Sequence, residues 1–173
     1  MPFAYYAKLS PSRQRIYRQS DAIVALEPPA GVPTGARVAR IRASLAQQDR
    51  ARVQAACQDL LDALAAGYRV QKIRVRVQAQ RPSDETGELQ GLYEPDDAPK
   101  PALITVWMRT AARKDVVAFK TFLRTLIHEL CHHLDYELYK MPETFHTEGF
   151  YKRESTLTHA LLRTESTTGG LPG

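Results

Sequence analysis

Residues 128–132 read His-Glu-Leu-Cys-His, two histidines four apart with a glutamate directly after the first. In an α-helix each residue advances about 100°, so positions four apart lie about 40° from one another and share a face. Two imidazoles so placed can grip one divalent cation, for which neutral imidazole is a good ligand. The intervening carboxylate stands to one side, where it can take a proton from a water that the metal activates. The H-E-x-x-H spacing therefore points to zinc (Zn2+), with His128 and His132 as metal ligands and Glu129 as catalytic base, and to hydrolysis of peptide bonds. With five histidines in the chain, these three positions coincide in about one per cent of shuffled sequences, so context must separate the motif from a solvated helix face that carries two histidines.

The context favours a site. Asp115 can cap a long helix from Val116 to about Tyr139, ended by Met141-Pro142. Phe119, Leu123, Leu126, Ile127, Leu130 and Leu134 form an apolar stripe for the core, while His128 and His132 lie nearly opposite, with Thr121, Thr125 and Tyr139, toward a potential cleft. Catalytic zinc usually takes three protein ligands and keeps one position for water. His146, between the break at Pro142 and the last helix, is the expected third ligand, with Glu148, Glu154 and His159 as competitors. Asp135 and Leu138 stand where a metzincin needs glycine and histidine, which removes that spacing.

Neighbouring residues each carry two readings. Asp135, one turn past His132, can orient a ligand or simply be solvated. His133 points away from the metal direction, which suits a surface or structural role. Cys131, on the flank of the core stripe, reads as a small buried thiol. Tyr136, Tyr139 and Tyr151 can offer a phenol to an oxyanion, or pack. Lys72, Arg74 and Arg76 on one strand face can meet phosphate, but charge on an exposed strand also discourages aggregation, and that reading is preferred.

The elements that must position the motif are legible from patterning. Ser10-Pro11 opens a short helix to about Gln19, and Pro28, Pro29, Gly31, Pro33 and Gly35 then break regular structure. Ala36 to Ala66 has helical periodicity with an interruption near Gln48 and a stop at Gly67. Tyr68 to Gln80 alternates as a half-buried strand, Leu89 to Tyr93 suits a short strand, and Leu103 to Met108 is rich in β-branched and aromatic residues. A last helix spans about Thr147 to Arg163. These add up to an α+β fold: a small twisted antiparallel or mixed sheet packed against the long helix of the motif, with flanking N- and C-terminal helices. The expected organisation is an arm over residues 1–35, packed or partly mobile, one domain over 36–163, and a frayed tail over 164–173.

At 173 residues the chain has room for one sizeable core. The balance of 43% hydrophobic and 25% charged residues excludes a disordered or membrane-spanning chain. No signal peptide or anchor is apparent, so a cytoplasmic address and no membrane partner are expected. Cys57 and Cys131 both fall in helical segments and read as reduced thiols. A net charge of +5 and pI near 9.3 allow nucleic acid as a partner beside a protein or peptide substrate, although scattered basic residues more often only solvate a surface.

From about Tyr68 to Arg163 the sequence resembles the SprT-like and minigluzincin group of zinc metallopeptidases. In that group an H-E-x-x-H helix is followed by a His-x-x-x-Phe element, here His146-Thr147-Glu148-Gly149-Phe150. Gly91-Leu92-Tyr93, then Ile104-Thr105-Val106, then Leu126 match the order of the group's small sheet and helix. The zinc-ribbon cysteines of many SprT-like proteins have no counterpart here. The resemblance implies His146 as third ligand, while true gluzincins use a glutamate, which keeps Glu154 in view. It implies a zinc metallopeptidase. Its substrate is expected to lie extended along an exposed strand edge, most naturally Leu103 to Met108, where main-chain hydrogen bonds are gained. The alternative is a non-catalytic zinc-containing module of the same fold that binds protein or DNA.

Overall fold

The structure, a computed structural model, describes residues 1–84, 87–88, 90–109 and 117–168. The expected cap at Asp115, the helix start at Val116, the strand start at Leu89 and the tail over 169–173 lie outside these residues.

Helix α1 (Pro11–Ala22) opens as its sequence requires: Ser10 is extended, its hydroxyl accepts from the Arg13 amide, and Pro11 sits where no amide is needed. Helices α2 (Gly35–Ala46) and α3 (Arg50–Tyr68) are split at Gln48, which adopts a positive φ of 56°, and Asp49 caps α3 through the Arg52 amide. Gly67 does not stop α3; the chain leaves the helix at Arg69, in the left-handed region. Gly67 is instead required by proximity, since a Cβ there would lie 2.5 Å from Pro29 Cβ and 2.7 Å from Val32 Cγ2.

Strand β1 (Arg74–Gln80) is shorter than its alternating segment, because α3 continues through Tyr68. It buries Val75 and Val77 and exposes Arg74 and Arg76. A two-residue hairpin follows, β2 (Ser83–Asp84) against β3 (Gly87–Glu88). Strands β4 (Gly91–Glu94) and β5 (Leu103–Arg109) complete a three-stranded mixed sheet in the order β1-β5-β4, with β1 parallel and β4 antiparallel to β5. The parallel register sets Val75 beside Ile104 and Val77 beside Val106, and the antiparallel one sets Gly91 beside Val106.

The central place of β5 corrects the expectation that substrate would pair with Leu103 to Met108, since both of its edges are already taken. The outer edge of β1 is partly satisfied as well: Gln58 and Gln54 of α3 accept the amides of Val75 and Val77 at 2.9 and 3.0 Å. That leaves β4 as the sheet edge without such cover among the described residues.

Helix α4 (Phe119–Glu137) carries the motif and starts after Ala118, without a side-chain cap. Its buried stripe is Phe122, Leu123, Leu126, Ile127, Leu130 and Leu134, which join Ile104, Val106, Leu60 and Leu157 in one core cluster. Burying each such side chain is worth about 1.5–3 kcal/mol. Phe119, expected in that stripe, is only half-buried and lies under the Arg42 guanidinium at 4.1 Å, so Phe122 takes the core position. Helix α5 (Glu148–Thr168) outruns the expected end at Arg163. Its added turn is held from afar, by a 2.9 Å contact between the Thr164 and Thr34 hydroxyls and an ion pair between Glu165 and Arg42. The described helices include none long and apolar enough to cross a membrane.

Candidate metal centre

The helical period of α4 sets His128 and His132 one turn apart, ring centroids 5.1 Å from each other. His146 comes from the segment between α4 and α5. Its Nε2 lies 3.1 Å from His128 Nε2 and 3.0 Å from His132 Nε2. The ligand atoms of these histidines all fall within 4.8 Å of one another. A tetrahedral zinc with bonds of about 2.0–2.1 Å spaces its nitrogen ligands about 3.3 Å apart, so slight opening of the cluster accommodates the ion.

Distant chain brings His146 into place. Tyr5 Oη donates to the His146 carbonyl oxygen at 2.8 Å, Arg13 grips Glu143 at 2.8 Å, and Asp21 accepts the Gly149 amide at 3.0 Å. Gly149 is demanded by this docking, because a Cβ there would sit 2.5 Å from the Asp21 carbonyl oxygen. Phe150, fully buried, backs all three imidazoles, with centroids 5.0, 4.7 and 5.2 Å from His128, His132 and His146.

Hydrogen bonding selects the nitrogen that His132 can offer. His132 Nδ1 is 2.8 Å from Thr144 Oγ1, and that hydroxyl donates to Asp135 Oδ2 at 2.8 Å. A hydroxyl has one proton; with it given to Asp135, the oxygen accepts from His132 Nδ1–H and Nε2 keeps its lone pair. Asp135 is fully buried and also receives Arg153 at 2.9 Å, so it is not the solvated residue of the simpler reading. Burial raises its carboxyl above the usual range, with Arg153 and Thr144 pulling the other way. On the other ligand, Glu154 Oε2 faces His128 Nδ1 at 3.6 Å. Glu154 thus stands behind the ring, on the side away from the three Nε2 atoms.

Burial favours the neutral form of His132 and of His146. Burial first, then the proximity of His128 and His146, holds His132 down to about 3, and burial likewise lowers His146. Glu129, only 6% exposed, is pushed up to about 7 by burial, with His128 opposing and Glu154 reinforcing. Both effects follow from taking charge out of water.

The site opens into a cleft of about 800 Å³ that runs along α4 between β4 and α5, lined by Gly91, Tyr93, Thr125, Glu129 and Tyr136 among others. Thr121 and Thr125 line it as expected, but Tyr139 does not; its ring lies 5.5 Å from the Arg153 guanidinium instead. Tyr151 rests against His146 and His128 at 5.8 and 6.1 Å. Glu148 is turned away and paired with Lys152 at 3.1 Å, while His159 lines the cleft apart from the histidine cluster. His133 is buried and bridges Gln71 O at 2.8 Å and Tyr93 Oη at 3.0 Å, and Cys131 is buried.

Sequence reasoning did not single out Thr144, Arg153 or Tyr5, and placed Tyr93 only in a strand. No spacing marks them, since each reaches the site by tertiary contact.

No family model, no curated protein and no solved structure matches the chain.

Proposed function

We propose that this chain is a zinc-dependent peptidase of the SprT-like and minigluzincin kind. The observation that carries the reading is the convergence of the Nε2 atoms of His128, His132 and His146 at the wall of an open cleft that Glu129 also lines. A zinc ion held there by His128, His132 and His146 would supply Lewis-acid activation of a water and of the scissile carbonyl. Glu129 would take a proton from the attacking water and return it to the leaving amine; its carboxyl, pushed up to about 7 by burial, suits both transfers. Thr144 and Asp135 behind His132 hold its ring with Nε2 inward, and Glu154 stands 3.6 Å behind His128 Nδ1.

The peptide lies extended along β4, the sheet edge beside the cleft, gaining main-chain hydrogen bonds while α4 forms the opposite wall. Two free, buried thiols at Cys57 and Cys131 fit a reducing compartment such as the cytoplasm.

Elemental analysis of the purified, zinc-replete chain and of its variants tests the centre. About one zinc per chain is expected, lost in His128→Ala, His132→Ala and His146→Ala and retained in Glu154→Ala. Digestion of a peptide library with and without chelator tests the reaction: new termini appear only with metal, and not with Glu129→Gln. A zinc-loaded protein that releases no termini from any peptide is a binding module.

A further inference from the structure

The charged side chains of the cleft are segregated. Glu129 and Glu154 stand at the histidines, whereas Arg124 and Lys120, one and two turns before His128 on α4, line the other end. Both are exposed, and neither has a hydrogen bond or ion pair among the described residues. Their place is electrostatically unfavourable for the isolated protein. Lys120 occupies the first turn and Arg124 the second of a helix whose N-cap is Ala118 and whose first turn has no acidic residue, so Lys120 meets the positive end of the helix dipole with no acid beside it among the described residues.

An independent feature lies across the cleft at the same end. Thr158 of α5 is 1% exposed and lines the cavity, yet its Oγ1 has no hydrogen-bond partner among the described residues. Buried hydroxyls are normally paired, so a donor left unused in the wall of a cavity marks a place for an acceptor. Two unpaired cations, a helix N-terminus and an idle hydroxyl together call for an anion small enough to enter a peptide cleft.

We infer that this end of the cleft is a subsite for a substrate carboxylate, so that the protein selects acidic peptides. The inference rests on the peptidase reading and adds its specificity. The direction of the substrate follows from β4. Gly91 abuts Thr125 and Glu129, and Tyr93, two residues on, stacks on His132 and Tyr136. Strand β4 thus runs in the same sense as α4, and its Gly91 end is the Lys120–Arg124 end. A substrate pairing antiparallel with β4, the more stable arrangement, enters with its C-terminal part toward Lys120 and Arg124. The acidic group therefore belongs to a residue after the scissile bond, as a side chain or as the chain's terminal carboxylate.

Matched peptides carrying Glu, Gln or Lys after the scissile bond, each with a free or amidated C-terminus, separate the two sources of carboxylate. The zinc-supplied full chain is expected to cleave the acidic member with kcat/KM about tenfold above the neutral one, with the lysine peptide poorest. In Lys120→Gln/Arg124→Gln the ratio collapses toward one, and Thr158→Val reduces it. Equal rates for the Glu and Gln peptides with amidated ends, together with no effect of freeing the terminus, overturn the inference while leaving the peptidase reading intact. Binding of the same peptides to Glu129→Gln, read by fluorescence anisotropy, works without turnover. Charge-selective binding without any cleavage by the native chain sinks the peptidase reading and keeps the subsite. Single-stranded DNA that binds through Lys120 and Arg124 while the peptides show no charge preference overturns the inference in favour of nucleic acid.

Discussion

His132 and Asp135 communicate through a single hydroxyl: Thr144 Oγ1 lies 2.8 Å from His132 Nδ1 and donates to Asp135 Oδ2 at 2.8 Å. The helix places the ring and the carboxylate one turn apart, and a residue from the following segment closes the gap. Removing that hydroxyl frees the ring to turn and leaves a buried carboxylate short of a donor. Thr144→Val is therefore expected to weaken zinc binding by about 10–100-fold, and Thr144→Ser to restore most of it. Competition with a metal-binding dye measures both.

Arg153 is fully buried, its side chain 1% exposed against 0% for Asp135. It also donates to the carbonyls of Ser20 and Ile23 at 2.6 and 2.7 Å, tying α1 to α5. Breaking one side of a buried pair strands the other charge. Arg153→Met is expected to lower stability by about 3–5 kcal/mol in urea unfolding, well beyond Arg13→Ala, which removes only a partly exposed pair with Glu143.

Gly91 passes so close to the site that a Cβ would lie 2.7 Å from Glu129 Oε1 and 2.9 Å from Thr125 Cγ2. The glutamate tip is the part that can yield. Gly91→Ala is thus expected to keep the fold and the zinc while displacing the base, with peptide turnover falling by about 10²-fold. Zinc content, melting temperature and kcat on one preparation separate this outcome from unfolding.

Tyr5 reaches across the chain to the His146 carbonyl oxygen at 2.8 Å. Tyr5→Phe deletes that bond and costs about 1 kcal/mol. Hydrogen exchange should show faster opening of residues 141–147 than in the native chain, with α3 and the sheet unaffected. Equal protection of that segment in both proteins would show that the N-terminal residues do not hold His146 in place.

Local patterning determined a good deal of this protein. The four-residue spacing of His128 and His132 dictates a shared helix face, because it depends only on the helical period. Alternation in Arg74–Gln80, the Ser10-Pro11 start and the division of the helical region near Gln48 are likewise short-range effects, and the structure carries each of them. An α+β architecture with a small sheet follows from the order of such segments.

What required the tertiary structure was every relationship between elements remote in sequence. Strand order, which puts β5 in the centre and β4 at the edge, is set by how the sheet packs and not by the composition of either strand. Gly67 reads as a helix stop locally, yet serves the close approach of Pro29; Phe119 fits the apolar stripe by period, yet Phe122 fills the core. The sequence favours His146 as third ligand but leaves Glu148, Glu154 and His159 as competing donors. Only the fold sets His146 Nε2 against the other two imidazoles, turns Glu154 to the back of His128 and pairs Glu148 with Lys152. Those placements depend on contacts spanning more than a hundred residues, from Tyr5 to His146 and from Ser20 to Arg153, and no local pattern encodes a distance of that kind.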